Sequence, residues 1–597
     1  MSFINLKSYI DHLESKGDLL KISTQVDPVL EITLIQHKVM AENGPALLFE
    51  NVKGSPYRLA SNLFGTDERL RTILGKDPEE IGEGLLNLSE QLMPPSASTI
   101  WKQKKSLFNI ANSRLREVHS GPVLDTITEP AKLTQLPCLT CWPLDGGPFF
   151  TLPLVHTVEP GTGKGNLGIY RMQRYDDEST GMHWQIEKGG GFHFARAIKN
   201  NEKLPLSVTL GGPPVLTIAA IAPLPEGIDE RLLASYLLGK PLNVIKRPSG
   251  HKVSADAEFI IEGYVTPNDN KKEGPFGDHL GHYSHSADFP VFRVERVLAR
   301  NNAIYPATVV GKPPQEDLYI GNALQKMFVP LLKIVHKGIT DLWSYPETGF
   351  HPLAVAAVKE RYKHEGLKHA LAILGEGQLS LTKTLIILSE NENVKDFTKV
   401  SEELWRNLDS DRLTLLSPTA QDTLDFTGPG INLGSRLILV ATKKTSGPVR
   451  TNESPPLPDI NDNIHPSITE LNRLGPAILI VKVKNDVRGD NKHSIEKRDN
   501  LIKALQKSDP SSKYLFHILV SDDVDINNEM STLWGWFTRF DPFRDMHPAS
   551  KEVKGNKLVL NFPVTIDSQW KKGYRKPVEF NDETIKLVEK KWTSYGF

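Results

Sequence analysis

The sequence predicts an α+β protein of three domains, in which a central antiparallel sheet or barrel is flanked by two units of mixed helices and strands. The chain of 597 residues is too long for one ordinary hydrophobic core. Between about residues 125 and 299, short apolar or alternating runs are separated by Gly/Pro-rich turns, which is typical of antiparallel strands. Beyond residue 324 strands alternate with helices, so we place the domains at residues 1–120, 121–323 and 324–597.

The N-terminal unit is predicted from helical and strand periodicity. Apolar residues at helical spacing predict a helix over residues 4–16, ended by Gly17, and a strand over residues 19–22. Two further strands are predicted over residues 45–49 and 57–61, followed by a largely helical connection over residues 67–93.

The central unit is predicted to be mainly strands, over residues 152–158, 206–210, 253–264 and 291–299. One helix is predicted to interrupt them, over residues 229–238. An acidic first turn opens it, and Gly239-Lys240-Pro241 closes it.

The C-terminal unit shows two similar βα patterns. A strand over residues 383–388 precedes an acidic turn and a helix with Trp405, and a strand over residues 514–520 precedes an acidic turn and a helix with two tryptophans. This similarity is compatible with a duplication, and the Pro/Ser/Asn-rich stretch 445–463 predicts a linker between the two copies. No cluster of reactive residues occurs here, so we interpret this half as a packing and oligomerisation domain.

Composition excludes several classes of function. With 71 basic and 72 acidic residues the net charge is -1, and we see no basic block interleaved with aromatic residues, so no nucleic-acid partner is expected. Cys138 and Cys141, spaced C-x2-C, suit half a zinc site or a redox pair, but we favour a packed connection between prolines. The N-terminus lacks a signal layout, and no apolar run approaches the roughly 20 residues that span a bilayer. A cytoplasmic enzyme or scaffold is therefore the default.

The stretch Glu273–His285, EGPFGDHLGHYSH, is the strongest candidate site. Its Gly and Pro residues exclude a regular helix and predict a tight loop carrying Glu273 and Asp278. Two carboxylates on such a loop are able to adopt different pKa values, one ionised and one carrying a proton. A solvated acidic turn is the simpler alternative. A zinc hydrolase site built from Asp278 with His279, His282 and His285 is another, although a loop lacks the fixed helical face of known zinc motifs.

Two glycine-rich stretches precede that loop. Residues 161–171, GTGKGNLGIYR, suit either a hairpin turn or a phosphate cradle, and match neither nucleotide-binding fingerprint. Residues 181–191, GMHWQIEKGGG, combine an aromatic residue, a cation and close-approach glycines, which suits a planar cofactor with a phosphate.

Together these stretches resemble the UbiD family of decarboxylases. The resemblance rests on N-L-G-I-Y-R at residues 166–171, Trp184 before a glycine run, PLPEGIDE ending at Glu230, EGPFGDH from Glu273 and GKPPQED from Gly311. A D-P-x-R-D pattern at Asp541 is also similar. The resemblance implies non-oxidative decarboxylation of an unsaturated or aromatic acid with prenylated FMN, a divalent metal (usually manganese) and often potassium. It also implies a split β-barrel cofactor domain flanked by an N-terminal α/β unit and a C-terminal α/β oligomerisation domain.

The resemblance assigns residues to the metal and the cofactor. Asn166 and Glu230 match metal ligands, and Glu187 stands where many members have a third ligand, histidine. Lys188 stands where arginine is common, keeping the charge without the bidentate fork. The positions that match cofactor contacts are Ile169, Tyr170, Arg171, His183, Trp184, Gln185, Lys188 and Gly189.

The resemblance also implies a catalytic network of Arg171, Glu273 and Asp278. Arg171 would pair with the substrate carboxylate and keep Glu273 ionised, while Asp278 would return a proton to the carbon that loses CO2. An aspartate at that position resembles the branch that acts on prenylated hydroxybenzoates and related quinone precursors.

We therefore predict a 3-polyprenyl-4-hydroxybenzoate decarboxylase of ubiquinone biosynthesis. A menaquinone-pathway hydroxynaphthoate decarboxylase and a degradative aromatic-acid decarboxylase are the alternatives. The expected partners are an aromatic carboxylic acid, a flavin prenyltransferase that supplies the cofactor, and further copies of the chain in a dimer or hexamer. A peripheral position at the inner face of a membrane is left open, because a prenylated substrate is held in the bilayer.

Overall fold

The structure is a computed structural model that describes residues 2–92, 96–184, 189–225, 227–444, 450, 455–458, 464–484, 492–509 and 513–597. It contains two compact units. Unit 1 comprises residues 1–327 together with residues 576–597, and unit 2 comprises residues 328–575. Within the described residues, no helix is long and apolar enough to cross a bilayer.

The helices that begin in unit 1 before residue 328 are α1 (Leu6–Ser15), α2 (Glu31–Ala41), α3 (Asp67–Leu74), α4 (Pro78–Gln91), α5 (Ala97–Lys102), α6 (Lys104–Ala111), α7 (Gly189–Asn200), α8 (Pro214–Ile221), α9 (Glu230–Leu238) and α10 (Glu316–Val335). Its strands are β1 (Leu19–Ile22), β2 (Ala46–Phe49), β3 (Arg58–Ser61), β4 (Leu115–Glu117), β5 (Thr126–Thr128), β6 (Phe149–Phe150), β7 (Leu154–Val158), β8 (Gly165–Ile169), β9 (Met172–Gln173), β10 (Ser179–Gly181), β11 (Leu204–Leu210), β12 (Leu242–Lys246), β13 (Lys252–Ser254), β14 (Phe259–Glu273), β15 (Ala287–Ala299) and β16 (Ile304–Pro306).

The N-terminal elements follow their sequence signals closely. The Asn5 side chain accepts a hydrogen bond from Ser8 N–H and so caps α1, whose apolar residues are buried as the helical spacing predicts. Strands β1, β2, β3 and β16 form a four-stranded sheet. The predicted helical connection is two helices, α3 and α4, because Gly75 ends α3 in the left-handed conformation and Asp77 caps α4.

The central sheet is antiparallel and seven-stranded. Its path is β10-β15-β14-β11-β7-β8, and the seventh strand, β5, pairs with β15 off this path. Among the described residues its outer strands β10 and β8 do not pair, so the split barrel implied by the resemblance stays a prediction.

Two sequence predictions for the central unit need correction, the single helix and the strand over residues 253–264. Two helices besides α9 occur there, α7 and α8. The start of α7 is glycine-rich, which disfavours a helix locally, and α8 is apolar on all sides because it is buried, so it shows no helical periodicity. The strand predicted over residues 253–264 is two strands, β13 and β14, with a turn between them.

Unit 2 consists of two sheets with the same topology. Its strands are β17 (Ile339–Ser344), β18 (Leu353–Val358), β19 (Thr384–Ser389), β20 (Leu413–Ala420), β21 (Leu433–Ala441), β22 (Ile468–Leu474), β23 (Ile478–Val483), β24 (Phe516–Ser521), β25 (Met546–Lys554) and β26 (Lys557–Ser568). Its remaining helices are α11 (Glu365–Ile373), α12 (Phe397–Asn407), α13 (Lys492–Ser508), α14 (Glu529–Phe537) and α15 (Pro542–Asp545).

The two sheets have the orders β17-β18-β19-β21-β20 and β22-β23-β24-β26-β25. In each, the two middle pairings are parallel and the two outer pairings are antiparallel. A duplication would produce this equivalence, and common descent of the two halves stays a prediction. Most of the predicted linker over residues 445–463 lies outside the described residues.

After unit 2 the chain returns to unit 1 as helix α16 (Asp582–Lys591). Buried Glu31 on α2 accepts hydrogen bonds from Lys591 Nζ (2.8 Å) and from the Tyr595 hydroxyl (2.5 Å). Val578, Val588 and Tyr595 join the apolar core of unit 1. The returning segment is therefore part of the core of unit 1. Cys138 and Cys141 are buried in the same core as free thiols.

Candidate active site

The candidate loop is the tip of the hairpin between β14 and β15. Glu273 is the last residue of β14, and Gly277 and Tyr283 form a bridge across the loop. The backbone N–H of Asp278 donates to His282 O (3.1 Å), and Gly281 N–H donates to Asp278 O (2.9 Å). These bonds give the loop a fixed backbone. In the sequence of the loop, Glu273 precedes Gly277 and Asp278 follows it.

Glu273 forms a buried charged cluster with Arg171 and His183. Its side chain is fully buried, and Arg171 Nε and His183 Nδ1 lie 3.1 Å and 3.0 Å from its Oε1. Burial by itself raises the pKa of the Glu273 carboxyl. The hydrogen bond from His183 and the charge of Arg171 outweigh burial, and the pKa lies below its ordinary value. Glu273 is thus held as a carboxylate.

Arg171 is oriented by three contacts in the same region. Besides Glu273, its Nη2 donates to Ser284 Oγ (2.9 Å), and its guanidinium lies 4.8 Å from the centre of the Phe276 ring. Among the described residues, Nη1 of Arg171 and Oε2 of Glu273 make no hydrogen bond. A buried carboxylate oxygen without a partner is costly, so it indicates a ligand with which this oxygen interacts.

Asp278 is buried and oriented by its own loop. Its Oδ1 accepts a hydrogen bond from Leu280 N–H (2.9 Å), and only 4% of the residue is exposed. The loop also holds His282, whose Nδ1 lies 2.9 Å from Leu280 O. The Asp278 carboxyl therefore has a defined direction in a largely dry environment, which a proton donor requires.

Two residues that were not predicted from the sequence anchor this loop from the neighbouring strand β9 and the turn before β6. Gln173 accepts from Gly274 N–H (2.8 Å) and donates to Gly146 O (2.7 Å), so it bridges the loop to that turn. Gly146 N–H in turn donates to Pro275 O (2.7 Å). The sequence contained a signal for Gln173. In an extended chain, residues 171 and 173 lie on the same face, so Gln173 is expected on the same side as Arg171.

Asp145 is the second of these anchors. Its Oδ1 accepts from Gly277 N–H (2.8 Å), and its Oδ2 accepts from Cys141 N–H and Trp142 N–H. Burial raises the pKa of Asp145 to about 6, although these three N–H groups oppose that shift. No sequence motif marks Asp145 as an anchor of the loop, since Gly277 lies 132 positions away and reaches it only in the folded chain.

The segment after unit 2 supports the far side of the loop. Tyr283 N–H donates to Lys576 O (3.0 Å), and Val578 N–H donates to Gly281 O (3.0 Å). Gln315 adds a hydrogen bond to His279 O (3.1 Å). The loop that carries both acids is therefore fixed by residues from widely separated parts of unit 1.

The predicted metal ligands Asn166 and Glu230 lie near each other. Asn166 is on β8 and Glu230 begins α9, and Leu167 N–H donates to Glu230 Oε2 (2.6 Å). Burial raises the pKa of Glu230 to about 7, although the Leu167 N–H lowers it. A carboxylate and an amide oxygen are ligands that suit a hard divalent cation, so these residues fit the implied metal.

Glycines of α7 pack directly against the same region. A Cβ at Gly189 would lie 2.0 Å from Asn166 Oδ1, and one at Gly190 would lie 2.6 Å from Trp184 Nε1. Gly190 N–H donates to the Tyr170 hydroxyl (3.1 Å), while the buried Trp184 Nε1 has no partner within the described part of the chain. Close backbone approach, two aromatic rings and an unpartnered donor fit a planar cofactor with a phosphate.

Some of the remaining predicted cofactor and metal contacts lie among the described residues, and others lie outside them. Ile169 ends β8 beside Tyr170 and Arg171, and His183 contacts Glu273. Gln185, Glu187 and Lys188 lie outside the described residues. Residues 159–164 form the turn of the β7–β8 hairpin, so the hairpin alternative holds for the first half of that glycine-rich stretch.

The zinc alternative has no geometric support. The residues that the structure describes, which include the whole loop from 273 to 285, contain no group of three His, Cys, Asp or Glu side chains able to hold a metal ion. His282 is buried and His285 is exposed, so the three histidines do not share one environment.

Comparison with family models identifies three consecutive matches. Residues 10–89 match the 3-octaprenyl-4-hydroxybenzoate carboxy-lyase N-terminal domain, residues 116–313 its Rift-related domain, and residues 318–441 its C-terminal domain. These are the three models of the UbiD type, and together they span more than half of the chain.

Two relatives are similar over almost the full length. An uncharacterized protein of Chlamydia trachomatis is 40% identical over 99% of both chains. A protein of Chlamydia pneumoniae, named as one of the subunits of a 4-hydroxybenzoate decarboxylase, is 39% identical over 100% of this chain and 98% of its own.

Two solved structures share the fold. The closed form of the vanillic acid decarboxylase of Sedimentibacter hydroxybenzoicus is 21% identical, with a TM-score of 0.67 over 78% of this chain and 98% of its own. HmfF of Pelotomaculum thermopropionicum, a UbiD-class enzyme in complex with FMN, is 23% identical, with a TM-score of 0.63 over 77% of this chain and 98% of its own.

Proposed function

This chain belongs to the UbiD family of carboxy-lyases, and we propose that it decarboxylates a polyprenylated aromatic hydroxy acid, of the 3-polyprenyl-4-hydroxybenzoate type, in quinone biosynthesis. The observation that carries the proposal is the buried Arg171–Glu273 pair beside the fixed Asp278 loop. It provides a cation for the substrate carboxylate, an ionised acid and a second, separately oriented acid.

Arg171 binds the carboxylate that leaves as CO2. Glu273 and Ser284 hold its Nε and Nη2, so its Nη1 is the atom available for the substrate. A guanidinium fixed in this way orients the carboxylate before the reaction, at little further entropic cost. Glu273 keeps the pair neutral.

Asp278 supplies the proton that replaces CO2 on the substrate carbon. Its carboxyl is oriented by Leu280 N–H and lies on a loop anchored by Asp145 and Gln173. A shift of about 1 Å in such a group is enough to lower a rate on the order of 100-fold, so the anchoring is part of the function.

The cofactor region would hold prenylated FMN and manganese. Asn166 and Glu230 would bind the metal, with Glu187 as the proposed third ligand, and potassium is a further proposed ion. Tyr170, Trp184 and the α7 glycines would contact the flavin and its phosphate, together with Ile169, His183, Gln185 and Lys188. When bound, prenylated FMN supplies the electron sink that departure of CO2 requires.

A second candidate is decarboxylation of a simple hydroxybenzoate. It is favoured by the name of the Chlamydia pneumoniae relative, which is 39% identical over 100% of this chain. The hydroxynaphthoate of menaquinone biosynthesis is the third substrate that the site chemistry allows. We further propose a homo-oligomer, a flavin prenyltransferase as cofactor supplier, and the domain boundaries 1–120, 121–323 and 324–597.

Purification after co-expression with a flavin prenyltransferase tests the proposal. We expect a coloured protein that releases CO2 from a short-chain 3-prenyl-4-hydroxybenzoate faster than from 4-hydroxybenzoate or a prenylated hydroxynaphthoate. D278N should abolish turnover and keep the cofactor absorbance. A faster reaction with 4-hydroxybenzoate would favour the second candidate, and a D278N protein that turns over would refute the proton-donor role.

A further inference from the structure

Helices α5 and α6 form an exposed apolar surface that the site does not use. Neither helix contains a buried residue. Trp101 and Phe108 are 71% and 67% exposed, and Ile100 and Ile110 are also exposed. Large side chains in one cluster on two neighbouring helices are unlike the scattered exposed apolar residues of an ordinary surface, and indicate a partner that covers them.

The same surface carries a local positive charge. Residues 97–111, which include both helices, contain three basic residues and no acidic residue, although the whole chain has a net charge of -1. Lys102, Lys104 and Lys105 are exposed. The prediction that the chain has no basic block interleaved with aromatic residues is therefore wrong for the segment from Trp101 to Phe108, WKQKKSLF.

Two of these lysines do not stabilise the helix that carries them. Lys104 and Lys105 occupy the first turn of α6, which has no acidic residue there and no side-chain cap. Cations at a helix N-terminus oppose the helix dipole, so their position is unfavourable for α6 alone. Lys104 Nζ lies 4.3 Å from the centre of the Trp101 ring, so the cation and the apolar surface face the same side.

We propose that the α5–α6 surface docks on a bilayer of anionic phospholipid. Aromatic side chains enter the interface between head groups and acyl chains, and lysines beside them contact acidic head groups. A second copy of the chain suits this surface less well, because an isologous contact would bring two sets of lysines together. The biological role of this docking, access to a substrate dissolved in the bilayer, rests on the proposed function. The docking itself is inferred from the surface alone.

Vesicle flotation of the full chain tests the proposal without any substrate. The protein should float with vesicles of equal parts phosphatidylcholine and phosphatidylglycerol, and bind phosphatidylcholine alone on the order of 100-fold more weakly, since each lysine near an anionic surface strengthens binding severalfold. The variants W101S/F108S and K102Q/K104Q/K105Q should lose binding to the mixed vesicles. F543S is the matched control, because Phe543 is 64% exposed in unit 2, and it should float like the original protein.

Two further measurements separate the alternatives. Thermal unfolding of both variants should be unchanged, because they alter exposed residues only, and turnover of a short-chain, water-soluble carboxylate should also be unchanged. Failure of that turnover in the original protein would refute the proposed function and leave the flotation result standing. A protein that does not float with anionic vesicles, variants that float equally well, or variants that instead change the oligomeric state would each overturn membrane docking.

Discussion

Replacement of Glu273 by glutamine tests the buried charge cluster most directly. The side chain keeps its shape, but the Arg171 and His183 contacts at 3.1 Å and 3.0 Å lose their negative partner. A hydrogen bond to a charged group contributes about 1.5–3 kcal/mol, against about 1 kcal/mol for a neutral one. Two such bonds and a buried guanidinium without a counter-ion predict a loss of about 2–4 kcal/mol in the free energy of unfolding near neutral pH.

The loss should depend on pH with a defined sign. The pKa of Glu273 in the folded protein lies below its ordinary value of 4.5, so the unfolded chain binds its proton at higher pH than the folded one. The stabilisation is therefore complete above pH 4.5 and disappears as the pH falls through the lowered pKa of the folded state. Calorimetry of both proteins at neutral pH and below pH 4.5 measures the difference, which should shrink on the acidic side.

A double-mutant cycle with R171M provides the control for this interpretation. If the two residues form a pair, the double variant should be more stable than the sum of the single losses predicts. E295Q, which alters a half-exposed glutamate on β15, should change stability by less than about 1 kcal/mol. Equal stability of E273Q and the original protein at neutral pH, or a difference that grows in acid, would refute the reasoning.

Three further outcomes are expected. Q173L removes the bridge between Gly146 and Gly274, so kcat should fall on the order of 100-fold while the cofactor spectrum is kept. A kcat of Q173L equal to that of the original protein would contradict the anchoring role. E230Q and treatment with EDTA should both release manganese measured by atomic absorption, and metal retained by E230Q at the original level would exclude Glu230 as a ligand. R171K keeps the charge but loses the planar guanidinium that binds a carboxylate through two nitrogens. For the carboxylate substrate, kcat/KM should therefore fall at least tenfold, and unchanged kinetics would contradict the proposal that Arg171 binds the substrate carboxylate.

Local signals were sufficient for much of the fold. Strand β1 occurs at the predicted residues 19–22, and α9 follows its acidic cap Asp229, because capping and periodicity act within a few residues. Helix α7 could not be predicted in this way, since its first residues are glycines. Their packing against Asn166 and Trp184 is a tertiary effect that no local propensity contains.

The residues of the candidate site also differ in whether a local sequence signal marks them. Arg171 and Glu273 were found because each lies in a recognisable motif, although 102 positions separate them in the sequence. Asp145 lies in no motif, and its role depends on backbone N–H groups whose positions are known only from the fold. The basic and aromatic α5–α6 surface was missed for another reason. The near-zero net charge of the whole chain conceals a local excess of positive charge in these two helices.

The insertion of unit 2 within unit 1 has a consequence for protein synthesis. Lys576 and Val578, which bind the backbone of the loop at Tyr283 and Gly281, are translated only after all 248 residues from 328 to 575 that make up unit 2. A nascent chain that stops within unit 2 already carries both loop acids but lacks the segment that fixes them. Long-range contacts of this kind form late in folding. Full activity is thus expected to appear only after the ribosome has passed unit 2.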